Sequence, residues 1–276
     1  MFRRQCQLNR SHVWIHEVNH TIHEMNNQPY LSVIVPAYNE AKNFHKGTLD
    51  SIYEYLQREP FSWELILVND GSSDSTLSLL EQFAASRQSV RVINNPHQGK
   101  AAAITSGVTE SHGEIILFTD MDQATPITEM ANLLPEFSRG YDIVIGSRKG
   151  RKGAPIYRQI LAYGMIILRG LILRLPIRDS QCGFKAFTAS SARKIFSILA
   201  KIHPPRVLSG PAVNPGFDVE ILYLGRKLGY RLAEVPVIWT HQESKRVRFA
   251  QDAISGLKEL LLVRFRSLTN AYGLKS

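Results

Sequence analysis

The stretch "ILFTDMDQATP" (residues 116–126) ends an apolar, β-prone run on two aspartates separated by one methionine. Ile115 to Phe118 are apolar without a break, which suits a strand buried on both faces. Such a strand offers acids only at its exit, so Asp120 and Asp122 belong to the turn that follows. Two carboxylates on one turn can both face a hard cation. Mg²⁺ and Mn²⁺ take oxygen ligands of this kind and keep positions open for phosphate oxygens.

Outward from this stretch the same pattern repeats. "LSVIVPAYNE" (31–40), "WELILVNDGSSD" (63–74), "VRVINN" (90–95) and "YDIVIGS" (141–147) read as short buried strands. The intervening "NFHKGTLDSIYEYLQRE", "STLSLLEQFAASR", "GKAAAITSGVTES" and "PITEMANLLPEFSRG" read as helices. Strands alternating with amphipathic helices predict an α/β fold, with a mostly parallel, Rossmann-like sheet covered on both faces. Ligands of such sheets bind at the carboxyl ends of the strands. The polar residues obey that rule: Pro36 to Glu40 follow the first strand, Asn69 to Ser72 the second, Asp120 and Asp122 the fourth, and Ser147 and Arg148 the fifth.

Composition narrows the partners. A chain of 276 residues is long enough to bury a large core, and its formal net charge is +9. That charge points to nucleic acid, an anionic membrane or phosphate-bearing ligands. No helix-turn-helix, zinc or aromatic stacking motif supports nucleic acid. The two cysteines, Cys6 and Cys182, lie far apart, which fits a reducing compartment. P-loop and dinucleotide glycine motifs are missing, as are GxSxG and HExxH. "HQGKAAA" (97–103) is a loop-to-helix turn in which Gly99 frees backbone N–H groups and Lys100 can approach a phosphate.

No segment predicts a membrane span. "ILAYGMIILRGLILRLP" (160–176) is slightly short and carries Arg169 and Arg174. With residues 245–268 it reads instead as an interfacial amphipathic helix, apolar face in the lipid and basic residues toward the headgroups. At the N-terminus, His12, His16, His20 and His23 share one helical stripe, which reads as an amphipathic tail, with a metal site as the alternative.

Taken together, "SVIVPAYNEAKNF", "LVNDGSSDST", "GKAAAITSG", "FTDMDQATP" and "DSQCGFKAF" resemble the successive motifs of family 2 glycosyltransferases with the GT-A fold. The likeness runs from Leu31 to the C-terminal helix. "RDSQCGFKAF", "FDVEILYLGRKLGY" and "WTHQESK" resemble the polyprenyl-phosphate branch, which includes dolichyl-phosphate glucosyl- and mannosyltransferases. The resemblance implies a tail at 1–28, a nucleotide-sugar half at 29–150, an acceptor half at 151–244 and a basic C-terminal helix at 245–276.

By the same resemblance, Pro36, Ala37, Tyr38, Glu40 and Asp70 cradle the nucleoside, with Asp70 near base or ribose. Gly99 and Lys100 line the nucleotide side. Asp120 and Asp122 bind the metal, Mg²⁺ or Mn²⁺, and the diphosphate, with Gln123 beside them. Arg148 and Arg158 receive the acceptor phosphate, while Asp179, Gln181 and Lys185 face the sugar. Glu220, His241, Ser244 and Lys245 close the site.

The chemistry leads to the same acceptor. A sugar hydroxyl needs a general base, for which Asp179, Glu220 and His241 are the candidates. A lipid monophosphate, with a second pKa of about 6, is already ionised and needs only cations to position it. The basic loop of Arg148, Lys149, Arg151, Lys152 and Arg158 supplies those. The expected protein is a peripheral enzyme on the cytoplasmic membrane face. It moves a hexose from a nucleotide sugar (UDP-glucose favoured, GDP-mannose possible) to polyprenyl phosphate, with inversion. A soluble transferase acting on a saccharide hydroxyl, and a non-catalytic membrane adaptor, are the alternatives.

Overall fold

The computed structural model describes residues 28–148, 156–204, 206–208, 216–240 and 249–274, without the side chains of 156–162 and 249–254. Seven strands form one sheet in the order β3-β2-β1-β4-β6-β5-β7. They are β1 (Leu31–Ala37), β2 (Trp63–Asp70), β3 (Val90–Asn95), β4 (Ile115–Phe118), β5 (Ile143–Arg148), β6 (Lys185–Thr188) and β7 (Leu232–Val237). The pairs β1–β2, β1–β4, β2–β3 and β5–β7 are parallel.

Successive side chains of a strand point to opposite faces, so an unbroken apolar run feeds two cores at once. Ile34, Ile66 and Ile116 enter one core, together with Ala103, Ile104 and Val108 of helix α4 (Lys100–Glu110). Val33, Val35, Leu65 and Leu117 enter the other, with Leu49, Ile52 and Leu56 of α2 (Thr48–Gln57). Helix α4 lies close on the sheet: a Cβ added at Gly107 would stand 2.5 Å from Ile34 Cγ2. Two further helices flank these, α1 (Ala41–Phe44) and α3 (Thr76–Ala84).

Two expectations change. The helix read over 126–140 is broken into a 3₁₀ turn (Ile127–Glu129), α5 (Met130–Leu133) and α6 (Pro135–Ser138). Pro135 has no N–H to continue the ladder and opens the last of these instead. The second change lies in "DSQCGFKAF", whose end is a strand. β6 is inserted between β4 and β5 and runs antiparallel to both.

The second half adds α7 (Ile156–Leu173), α8 (Ala189–Ile202), α9 (Phe217–Lys227) and α10 (Phe249–Leu268). Thr188 caps α8 by accepting from Ser191 N–H. Helices α7 and α10 pack together, with Gly256 against Met165. Part of their surface stays apolar and exposed: Ile167 (60%), Leu171 (74%), Leu261 (52%) and Phe265 (62%). Among the described residues no helix is long and apolar enough to cross a membrane.

Two of the arginines expected at lipid headgroups turn inward. Arg169 is buried and donates to Ser180 Oγ at 2.9 Å and to the carbonyls of Ile177 and Arg178. Arg266 donates to buried Glu220 at 2.9 Å. Each answers a local demand for a donor: orphan carbonyls past α7 for the first, a buried carboxylate for the second.

Candidate active site

The first wall of the site is made by the exits of β1 and β2. Pro36 and Ala37 end β1 beside Val68 and Asn69. Asn39, at φ 55°, accepts from Ser73 N–H at 2.8 Å through its side-chain oxygen and donates its own N–H to Ser72 Oγ at 3.0 Å. Tyr38 stacks on His97, ring centroids 4.0 Å apart and planes within 12°.

Asp70 is buried, and its carboxylate takes Gln98 N–H, Gly99 N–H and His97 Nδ1, each at 2.8 Å. Three of its roughly four acceptor positions are therefore spent on the loop before α4. The Gly99 N–H expected to be free for a ligand belongs to Asp70. Asp70 is thus the post behind a loop that carries the Tyr38–His97 stack and Lys100.

The turn after β4 is the second wall. Asp122 Oδ1 accepts from Ala124 N–H at 3.0 Å. Gln123, at φ 50°, spends its amide inside the turn: Nε2 donates to the Asp120 carbonyl at 2.9 Å, and Oε1 accepts from Ile127 N–H at 2.9 Å. It shapes the turn that carries the aspartates. Asp120 Oδ1 is bound by the ammonium of Lys100. Gly183 lies so close that a Cβ there would come 2.1 Å from Asp120 Oδ2.

The third wall joins β5, β6 and β7. Arg148 makes a two-pronged pair with Asp179, Nε to Oδ2 at 2.6 Å and Nη2 to Oδ1 at 2.8 Å. Its guanidinium also lies 5.4 Å from the centre of the Trp239 ring. Glu234 accepts from Asp179 N–H at 2.7 Å and from Arg178 N–H, which seats the pair. Thr119, Asp120, Arg148, Gln181, Cys182 and Trp239 share one cavity of about 70 Å³.

Beneath this floor Lys185 is fully buried, bound to the Cys182 carbonyl and to Asp218. It supports the site from below and does not line the cavity. Glu220 turns the other way. It accepts from His203 Nε2 at 2.7 Å, Arg266 at 2.9 Å and Tyr272 Oη at 2.7 Å, so it ties α9 to the C-terminal helix. The acid of "FDVEIL" on the site's side of α9 is Asp218, bound to Lys185 beneath the cavity and unmarked in the sequence. Arg158 falls in the first turn of α7, among residues whose side chains are not described. His241, Ser244 and Lys245, the N-terminal histidine stripe and Cys6 lie outside the described residues.

The charges form a graded field. Burial raises the pKa of Glu40, and Asp122, Asp120 and Asp74 add to the rise against one hydrogen bond from Asn43. For Asp120 burial also acts upward, but Lys100, Lys185 and Arg148 outweigh it and hold the carboxyl below its ordinary value. Burial likewise opposes the Lys100 charge, and Asp120, Asp218 and Asp122 overcome it. Asp179 is held low against burial by Arg148.

Among the described residues no three His, Cys, Asp or Glu side chains converge as a metal cluster. A cation would therefore take Asp120 and Asp122 from the protein and complete its shell from the ligand and water. The donor set is all carboxylate, and the acids around Glu40 already concentrate negative charge there. Both suit a hard divalent ion.

The sheet, with β6 turned back inside it and acids on the exit of β4, is that of the GT-A glycosyltransferases. Mannosyl-3-phosphoglycerate synthase from Rubrobacter xylanophilus superposes with a TM-score of 0.62 at 16% identity, over 90% of this chain and 77% of the other. Glucosyl-3-phosphoglycerate synthase from Mycobacterium tuberculosis, solved with Mn²⁺, UDP and glucosyl-3-phosphoglycerate, gives 0.57 at 19%, over 85% and 80%.

The signature of glycosyl transferase family 2 matches residues 32–196, and the chain belongs to that family. It is 34% identical to the dolichyl-phosphate beta-glucosyltransferase of Dictyostelium discoideum over 90% of this chain and 77% of that protein. It is 36% identical to the human protein of the same name, over 89% and 78%.

Proposed function

We propose that this protein transfers a hexose, glucose by preference, from a nucleotide sugar to a polyprenyl phosphate of the dolichyl type, inverting the anomeric centre. The observation that carries the reading is what has become of the candidate bases. Asp179 is locked to Arg148, and Glu220 faces His203, Arg266 and Tyr272 on the far side of α9. His241 lies outside the described residues. An acceptor that arrives ionised, as a phosphate monoester does, needs no base. It needs cations, and Arg148 lines the cavity beside Asp120.

The nucleoside lies against the Tyr38–His97 stack, with the diphosphate toward Lys100 and the two aspartates. Mg²⁺ or Mn²⁺, held by Asp120 and Asp122, would neutralise the charge that grows on the leaving diphosphate. Arg148, kept rigid by Asp179, positions the acceptor phosphate. Trp239 and Gln181 bound the space left for the sugar. The exposed apolar face of α7 and α10 supports peripheral docking on a membrane surface, where a polyprenyl phosphate is reached; the cytoplasmic face is the side proposed. The names of the relatives agree with this acceptor and with glucose.

The test is transfer of label from UDP-glucose, with GDP-mannose in parallel, into the organic phase of polyprenyl-phosphate micelles containing Mn²⁺. Label in the lipid from UDP-glucose is the expected result. Nucleotide release with label on a free saccharide would replace the acceptor. No binding of either sugar nucleotide would leave the adaptor reading.

A further inference from the structure

Lys100 sits where a cation is needed. Its ammonium is on Asp120 Oδ1, one of the carboxylate oxygens assigned above to the metal. Lys100 is the first residue of α4, carried on a rim that Asp70 pins through Gln98 N–H and Gly99 N–H. Its backbone is therefore fixed while its long side chain ends at a half-exposed ion pair. The other cations near Asp120 hold different partners: Lys185 is on Asp218 and the Cys182 carbonyl, and Arg148 is on Asp179. Two positive groups cannot share one carboxylate oxygen at contact distance without strong repulsion.

We propose that Lys100 is a placeholder for the divalent cation: it neutralises Asp120 in the cation-free protein, and yields that oxygen to the metal by turning its ammonium onto the diphosphate the metal accompanies. The inference rests on the reading of Asp120 and Asp122 as the cation site. Its consequence is coupling. The metal alone must displace Lys100 with nowhere better for the ammonium to go, so it binds weakly. The metal with a nucleoside diphosphate supplies the anion that receives Lys100, so each ligand raises the affinity of the other. The acids around Glu40 would otherwise repel one another whenever the site is empty, and the ammonium relieves that repulsion in the interval.

The test measures Mn²⁺ binding by the paramagnetic resonance of free Mn²⁺, with and without UDP, for the wild type, Lys100→Met and Arg148→Gln. The wild type should bind Mn²⁺ more tightly with UDP present. Lys100→Met should bind Mn²⁺ alone about tenfold more tightly than the wild type, yet bind UDP more weakly at saturating Mn²⁺. Arg148→Gln removes a charge from the same neighbourhood without freeing Asp120, and should tighten Mn²⁺ binding by less. Unchanged or weaker Mn²⁺ binding by Lys100→Met, or an equal gain in both variants, overturns the placeholder. A wild type that binds no Mn²⁺ with UDP present overturns the metal site itself, which separates the two failures.

Discussion

Asp218 and Glu220 stand two residues apart on α9 and serve opposite sides of it, the first bound to Lys185 under the site, the second to His203, Arg266 and Tyr272. A helix turns about 200° over two residues, so the two acids cannot share a face. Substituting them should separate two kinds of loss. Glu220→Gln should lower stability by about 2 kcal/mol, since hydrogen bonds to a charged group are the stronger ones, and should leave Mn²⁺ binding alone. Asp218→Asn leaves the fully buried Lys185 ammonium without its carboxylate, so it should lower the urea midpoint and, unlike Glu220→Gln, weaken UDP and Mn²⁺ binding as well. Urea unfolding and nucleotide titration of both variants check this.

The Glu220 network also sets an acid limb. Burial acts against its charge, but His203, Tyr272 and Arg266 hold its pKa below the ordinary value. A depressed carboxylate contributes stability that is complete above the unfolded value, about 4.3, and is lost as pH falls through the folded value. The stability gap between wild type and Glu220→Gln should therefore be constant above about pH 5 and shrink below about pH 4. Urea unfolding of both proteins across that range measures it; a gap that widens on acidification refutes the assignment.

Asp122→Asn should keep the fold and lose metal-dependent donor turnover by about a hundredfold or more, the scale seen when a charge-stabilising group is removed. Circular dichroism alongside the label-transfer assay separates the two effects. Full activity would remove Asp122 from the site.

Arg148→Lys keeps the charge but cannot reproduce the two-pronged bond to Asp179 or the contact with the Trp239 ring. Transfer should fall at least tenfold, with the larger change in the KM for the acceptor than in that for the nucleotide sugar. Equal changes in both would mean that Arg148 acts on the donor.

Leu171→Glu with Phe265→Glu alters only exposed positions of α7 and α10, so stability should stay within about 0.5 kcal/mol per site. Flotation with anionic vesicles should nonetheless lose the protein from the lipid layer. Undiminished flotation would place the membrane contact elsewhere.

What could be read in advance was local. Strand periods and acids at strand exits are properties of neighbouring residues, so the sheet's parallel core and the Asp120–Asp122 turn were legible in "ILFTDMDQATP". Strand β6 was not, because four residues beginning with a lysine carry no period, and only β4 and β5 on either side make them a strand. The choice between Asp218 and Glu220 depends on how α9 is rotated over the sheet, which "FDVEIL" does not contain. Asp70 was legible as a rim residue, but its backbone partners arrive from a loop beyond the next helix and strand. Arg169 and Arg266 looked like headgroup ligands because a helical pattern shows which face is basic, and hides whether a carbonyl or carboxylate waits beneath it.

The reversed β6 also bears on how the chain comes to be made. β4 and β5 follow one another in the chain yet do not pair, and the strand that joins them is synthesised after both. Until residue 188 has left the ribosome, β4 presents an unpaired edge and β5 has no strand beside it. A fragment ending near residue 150 would carry the Asp120–Asp122 turn on an open, apolar edge, the situation in which strands seek partners in other chains. A fragment cut near residue 150 should therefore fail in isolation, and nascent chains of that length should depend on chaperones.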